Sequence, residues 1–471
     1  MVRAAGLDIE CIRRRPHDVL CLSRNEENGA SRLPDTTLLR TSLDVTSAPS
    51  TQQAAQPSAD AVLDGLIREG GIRSLYQPIV ELDSGRVVGY EALARGPAGT
   101  RLEAPKDLFA TARSVDRVED LDWACRRAAL GGALEGNLRA PLTLFANVEP
   151  EAVGAPPPPE LTALYERAEG SLRVVVEITE RALAAKPAEL LRTVERVRRR
   201  GWAIALDDVG ADRYSLALMP FLKPDVVKLD LRLIQDRPST EIAEVVNAVN
   251  AEVERTGGSV LAEGIEHEEH LATAIAMGAT LGQGWLFGRP GPLPQGPAPT
   301  GRAVPFLEGR QEQPESTPGQ VAKRSRPARV ATKRHLVAVS RHLEDQAETF
   351  GETAVLLSSF QTGARFSPAT RRRYEELAER AAFVAAFGLE MGEEPAPGVR
   401  GATIEREDPL VDEWGVAVVA PHFAAVLAAC DLGDDGPDLE RRFEFVVTYD
   451  RDLVLEAASL LMARISPILA L

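Results

Sequence analysis

Between residues 58 and 290, eight short apolar runs rich in β-branched residues alternate with helical patterns, and nothing else in the chain restricts its fold so tightly. The runs are LYQPIVE (75–81), RVVGYEALAR (86–95), LTLFANV (142–148), VVVEITE (174–180), WAIALDD (202–208), DVVKLD (225–230), SVLAEGI (259–265) and GQGWLFG (282–288). Strands alternating with helices specify a parallel α/β architecture, and eight in this length point to a closed (β/α)8 barrel of the TIM type rather than an open sheet. One join breaks the alternation. Little more than Asp83-Ser84-Gly85 separates the first two runs, whereas a parallel crossover needs about a dozen residues or more. These two must form a hairpin, so the barrel is expected to carry one antiparallel strand.

The flanks read differently. Residues 1–57 have no sustained period and end in TSLDVTSAPSTQQAAQPS, which predicts a disordered N-terminal tail before a barrel over 58–294. Residues 295–329, rich in Pro, Gly and Ser, read as a linker. A smaller α+β domain follows over 330–466. Leu336, Val339, Leu343, Ala347 and Phe350 recur at helical spacing, Ser367-Pro368 opens a second helix, and DLVLEAASLLMARI closes as a third. TAVLLSSF, FVAAFG, GVAVVA and FEFVVTY supply strands.

Charge excludes one class of partner. Lys and Arg number 54 against 70 Asp and Glu, a net charge of −16. Such a surface does not neutralise duplex nucleic acid. No run reaches the ~20 apolar residues of a membrane span, and the N-terminus lacks the apolar core of a secretory signal. The four cysteines (Cys11, Cys21, Cys125 and Cys430) form no C-x-x-C pair and read as free thiols. Together these features predict a cytoplasmic protein, and the strong bias of Arg over Lys fits a GC-rich bacterial coding sequence.

Chemistry in such a barrel collects at the C-terminal strand ends. There the sequence places Glu91, Asn147, Glu177, Asp207 with Asp208, Lys228, Glu263 and Gln283. Crowded carboxylates repel one another unless a cation neutralises them, and hard divalent ions such as Mg²⁺ or Mn²⁺ take oxygen ligands of this kind. No His ends any of these strands, which argues against zinc. Adjacent Asp207 and Asp208 suit a pair of ions, one carboxylate bridging both, the arrangement recurrent in phosphodiester hydrolysis at about 3.5–4 Å separation. Lys228 lies within an apolar strand, where an ammonium needs anionic neighbours, and it is placed to orient a nucleophilic water. His267 and His270 in HEEH read as solvent-facing, and Trp123, Trp202 and Trp285 as core or rim packing.

YEALARG, FANVEP, VVEITE, ALDDVGAD, VVKLD, LAEGIE and GQGWLFGRP, in that order, resemble the EAL-domain phosphodiesterases, which hydrolyse cyclic di-GMP to linear pGpG. The resemblance spans about 235 residues. It implies that Glu91, Asn147, Glu177 and Asp207 hold one metal ion and that Asp207, Asp208 and Glu263 hold a second, with Glu263 also the candidate general base. It further implies that Lys228 positions the attacking water, Arg95 contacts a substrate phosphate, Gln77 lines the guanine end, Glu266 and Gln283 support site and substrate, and Glu180 steadies the loop after the paired aspartates. A homodimer is implied as well. One departure concerns regulation: Val209-Gly210-Ala211-Asp212 stands where the family has Phe-Gly-Thr-Gly. The C-terminal region, with PFLEG, LLSSFQTGARFSPATRRRYEELAER and DPLVDEWGVAVVAPHFAAVLA, is similar to the DICT sensory domain, which implies an input of unknown signal. The alternative function is a receptor that binds cyclic di-GMP without turnover, although such proteins lose metal ligands that this sequence keeps.

Overall fold

A computed structural model describes residues 9–15, 18–23, 59–179, 185–211, 214–296, 300–307 and 316–465. The chain divides into two compact units, Met1–Gln56 and Pro57–Leu471. In the first, strands β1 (Ile9–Arg15) and β2 (Asp18–Ser23) pair antiparallel. This departs from the expected featureless tail: two short β-prone runs flank Pro16 closely enough to form a local ladder, a contact that needs no long-range periodicity.

The second unit opens with a closed barrel. Its strands are β3 (Arg73–Glu81), β4 (Arg86–Arg95), β5 (Thr143–Val148), β6 (Arg173–Thr179), β7 (Ala203–Val209), β8 (Val226–Leu229), β9 (Ser259–Ala262) and β10 (Leu281–Gln283). β3 runs antiparallel to both neighbours, β4 and β10, and every other pairing is parallel. The expected hairpin is therefore the one irregularity in strand direction. Helices α1 (Ala59–Arg68), α2 (Pro105–Ser114), α3 (Val118–Glu135), α4 (Thr162–Ser171), α5 (Pro187–Arg199), α6 (Tyr214–Leu222), α7 (Leu231–Gln235), α8 (Thr240–Thr256) and α9 (Glu268–Ala276) surround it. Local chemistry sets their ends: Ser239 accepts from Ile242 N–H at the start of α8, and Gly257, at φ +81°, closes it in the left-handed region.

Alternation along the strands fills the interior in layers. Ile79, Phe145, Val175, Ala205, Val226, Leu261 and Leu281 share one buried cluster. Val304, with Phe306 packed against it, joins the same cluster. Arg173 donates to Val304 O at 2.6 Å and stacks over Phe306, while Leu307 N–H is held by Asp225 Oδ1. The segment read as a linker is thus in part a barrel plug: its few apolar residues are spaced among prolines, which hid them from a pattern search.

The same segment also begins the next domain. Helix α10 (Pro318–Lys323) is capped by Thr317 and buries Val321 and Ala322. A seven-stranded sheet follows, of β11 (Arg329–Thr332), β12 (Val355–Thr362), β13 (Phe383–Leu389), β14 (Arg400–Thr403), β15 (Glu413–Ala420), β16 (Phe423–Asp431) and β17 (Arg442–Thr448), in the order β11-β17-β16-β15-β12-β13-β14. Helices α11 (Lys333–Phe350) and α12 (Pro368–Ala378) cover one face, packing with Leu356, Val384, Val416 and Leu427. The other face, with Val355, Leu357, Ala385, Val419 and Val426, belongs to a single core shared with α13 (Arg451–Met462) and with the barrel's Leu216, Leu218 and Leu222. Among the described residues, no helix is long and apolar enough to cross a membrane.

Candidate active site at the barrel mouth

Six site residues stand two positions beyond an apolar interior residue: Asn147 after Phe145, Glu177 after Val175, Asp207 after Ala205, Lys228 after Val226, Glu263 after Leu261 and Gln283 after Leu281. A period of two then puts these side chains on the inner face, one layer above the core. β3 runs the other way, so Gln77 lies above Ile79. Register brings Gln77 beside Glu91 and Asn147 beside Glu177.

Lys228 is the centre of the layer, 1% exposed. Its Nζ lies 2.8 Å from Glu177 Oε1, 2.9 Å from Asp207 Oδ1, 2.8 Å from Glu263 Oε1 and 3.8 Å from Glu91 Oε1. A chain of amides completes one side. Gln77 donates to Gly288 O (3.1 Å), Gln283 donates to Gln77 Oε1 (3.2 Å) and to Glu91 Oε2 (2.6 Å), and Asn147 donates to Glu91 Oε1 (2.9 Å). Asp207, Asp208 and Glu263 offer carboxylate oxygens that all lie within 4.8 Å of one another. Asp208 takes the left-handed conformation, φ +57°, uncommon for a residue with a side chain. Its N–H donates to Asp207 Oδ1 at 3.0 Å, which fixes the turn between the paired carboxylates.

Electrostatics shows what is missing from a balanced cluster. Burial works against the Lys228 charge, but Asp207, Glu177, Glu263 and Glu91 together hold its pKa well above the usual lysine value. Glu91 is also buried, yet Lys228, Gln283 and Asn147 lower its pKa. Burial and the neighbouring Glu91 push Glu177 well above the carboxylate range. Burial likewise pushes Glu263 up to about 8, against the pull of Lys228. Glu177 Oε2 is buried with no hydrogen-bond partner among the described residues. Five carboxylates (Glu91, Glu177, Asp207, Asp208 and Glu263) face one ammonium, all oxygen donors of the hard type, so the residues present fit divalent cations.

The other expected site residues sit farther out. Arg95, on the last position of β4, donates to Ala94 O, and burial beside Arg73 lowers its pKa. Glu266 is exposed, and its N–H meets His270 Nδ1 at 3.3 Å. Glu180 and Asp212 lie outside the described residues. A cavity of about 350 Å³ adjoins Glu91 and Asn147, lined also by Phe109, Arg113, Asp122 and Arg126. Sequence reasoning missed these last four. The available signal was the i, i+4 spacing of Asp122 and Arg126, which form an ion pair on one face of α3.

Residues 59–290 match the EAL domain, and residues 317–432 match DICT, a sensory domain in diguanylate cyclases and two-component systems. The cyclic di-GMP phosphodiesterase RocR of Pseudomonas aeruginosa is 31% identical over 250 residues, covering 51% of this chain and 62% of RocR. The cyclic di-GMP phosphodiesterase NbdA of the same organism is 30% identical over 236 residues, covering 48% of this chain and 30% of NbdA. The chain thus spans less than two thirds of the length of these relatives. Among solved structures, Klebsiella pneumoniae BlrP1 in complex with manganese and cyclic di-GMP is 29% identical, covering 47% of this chain and 56% of that one, with a TM-score of 0.42. Residues 59–290 are thus identified as an EAL domain and residues 317–432 as a DICT domain.

Proposed function

We propose that this chain hydrolyses cyclic di-GMP to linear pGpG at the barrel mouth, with two Mg²⁺ or Mn²⁺ ions as cofactors and its C-terminal domain as a sensory regulator. The observation that carries this reading is the inward polar layer, where five carboxylates surround a single buried ammonium. The names of the relatives RocR and NbdA supply the substrate. Glu91, Asn147, Glu177 and Asp207 would hold one ion, and Asp207, Asp208 and Glu263 the other. Bound there, the ions would supply Lewis acidity to the phosphoryl oxygens and an activated water.

The chain's own residues do the rest. Glu263, at the inner face of the mouth 2.8 Å from Lys228, takes the proton of the attacking water. Lys228 keeps its ammonium charged and orients that water, while Glu91 is locked by Gln283 and Asn147. Arg95 contacts a substrate phosphate from the end of β4, Gln77 lines the guanine end, and Glu266 and Gln283 support the substrate. The cavity beside Glu91, with acceptors on Asp122 and donors on Arg113 and Arg126, accommodates part of the dinucleotide. Glu180 steadies the loop after the paired aspartates. The protein acts in the cytoplasm as a homodimer.

Incubating the purified full chain with cyclic di-GMP and Mg²⁺ or Mn²⁺ tests the reading. The expected result is pGpG on chromatography, abolished by EDTA. Bound nucleotide without product, with or without metal, would favour a receptor instead.

A further inference from the structure

A second cavity opens on the flank of the barrel, between its wall and helices α3, α4 and α5. Phe145 and Val175 belong to the interior, so the alternate residues Val148, Val174 and Val176 face outward. They floor a space of about 70 Å³. Three rings wall it. Tyr165 meets Trp123 edge-on, 6.1 Å between centroids, and lies 5.5 Å from Trp202. Both indoles are 6% exposed, and Nε1 of each is buried with no hydrogen-bond partner among the described residues. A buried indole N–H ordinarily finds an acceptor, so two bare ones in one wall ask for an explanation.

The charged groups around this cavity are all of one sign. Arg126, Arg196 and Arg200 line it, and no carboxylate does. Arg126 stacks 3.5 Å from the Trp123 ring centroid and Arg200 lies 5.1 Å from that of Tyr165. The acids that pair with these two, Asp122 and Glu169, stand back from the cavity. Arg196 meets neutral groups, donating to Thr193 Oγ1 (2.9 Å) and Gly154 O (3.4 Å). Burial lowers its pKa, with Arg192, Arg199 and Arg126 adding to the effect. Thr193 Oγ1 is itself engaged, donating to Glu189 O (2.8 Å) and accepting from Gly154 N–H (3.2 Å).

Acceptors are what this wall lacks. A water taking both indole N–H groups would leave its own protons without partners, whereas a carboxylate accepts from several directions and supplies the missing charge. The space exceeds several-fold the roughly 10–15 Å³ that one water needs. Its valine floor suits a short hydrocarbon chain, which an inorganic anion would leave uncovered.

We infer that this flank cavity is a binding site for a short aliphatic monocarboxylate, its head received by the indole N–H groups and Arg196 and its chain by the valines. The acidic mouth and the basic flank thus take ligands of opposite charge. Arg126 lines the mouth cavity as well, so the test leaves it in place.

The chain has four tryptophans, and nitrogen-15 labelling of them gives four indole N–H signals, each assigned by its Trp→Phe variant. Titration of the full chain with sodium butyrate is expected to move the signals of Trp123 and Trp202 saturably. That of Trp414, in the C-terminal domain, is expected to stay. Butanol or sodium chloride at equal concentration should move neither of the first two comparably. Arg196→Gln, at a half-buried position outside the mouth, should weaken butyrate binding about tenfold, with circular dichroism checking the fold. Unmoved Trp123 and Trp202 signals, or equal movement with butanol or chloride, would overturn the inference. Undiminished affinity in folded Arg196→Gln would overturn it too; if that variant does not fold, butyrate against butanol decides.

Discussion

Glu177 at the barrel mouth and Glu344 in the C-terminal domain are equally hidden, 1% and 2% exposed, yet their surroundings differ in kind. Glu344 has a cation of its own: Tyr374 (3.0 Å) and Ser340 (3.3 Å) donate to Oε1, and Arg373 forms an ion pair with Oε2 at 2.7 Å, without a hydrogen bond. Tyr374 Oη in turn accepts from Ser358 Oγ–H at 2.7 Å. Glu177 has Lys228 on one oxygen and no hydrogen bond to the other, and Lys228 is shared with Asp207, Glu263 and Glu91. A buried carboxylate paired one to one with a cation specifies a core; a set that shares one ammonium among several carboxylates specifies a ligand.

Four substitutions test that contrast, in decreasing order of effect. Asp207→Asn should lower cyclic di-GMP hydrolysis by on the order of a thousandfold with the fold retained, because it neutralises the carboxylate shared by both proposed ion sites. Steady-state kinetics and circular dichroism check the two halves of that statement. Lys228→Met should destabilise the protein in EDTA by about 3–5 kcal/mol, the cost of removing one partner from a buried ion cluster. Mn²⁺ should recover most of the loss, which denaturant melts with and without metal would show. At the Glu344 site no cation should compensate. Tyr374→Phe should cost about 1–3 kcal/mol by leaving Glu344 short of a donor and Ser358 short of an acceptor, and melts should be unchanged by Mn²⁺.

The smallest effect is a pH dependence. Burial raises the pKa of Glu344 above 4.5, with Arg373 opposing. A raised folded-state value gives stability that is fully present below the unfolded pKa and is lost as pH rises through the folded one. Glu344→Gln cannot ionise and escapes that loss. Its Tm relative to wild type should therefore move upward from pH 4 to pH 8, by a few °C at most. A downward movement would mean that the Arg373 pair outweighs burial.

The contrast was only half legible in the sequence. Strand ends could be read because period-two alternation is local: the polar residue after each apolar pair in FANVEP, VVEITE and VVKLD marks the mouth, and the short join at Asp83-Ser84-Gly85 marks the antiparallel strand. Ser367 at the start of α12 was legible for the same reason, as its hydroxyl caps Thr370 N–H. Long-range contacts were not. Val304 plugs the barrel from within a Pro- and Gly-rich stretch, and α10 buries Val321 and Ala322 inside what reads as linker. β16, FAAVLAACD, is apolar on both faces and shows no alternation to find. The all-round burial of α6 follows from neighbours beginning at Gly351, far along the sequence, which no local pattern encodes. Glu344 was likewise invisible as a site, since its partners come from α11, α12 and β12.

The central claim is that the unbalanced carboxylate layer is a divalent-cation site. Calorimetric titration of the full chain with Mn²⁺, beside Asp207→Asn, tests it most directly. Two Mn²⁺ per wild-type chain, and loss of that binding in the variant, are expected. Equal binding by the two proteins, or none by either, would contradict it.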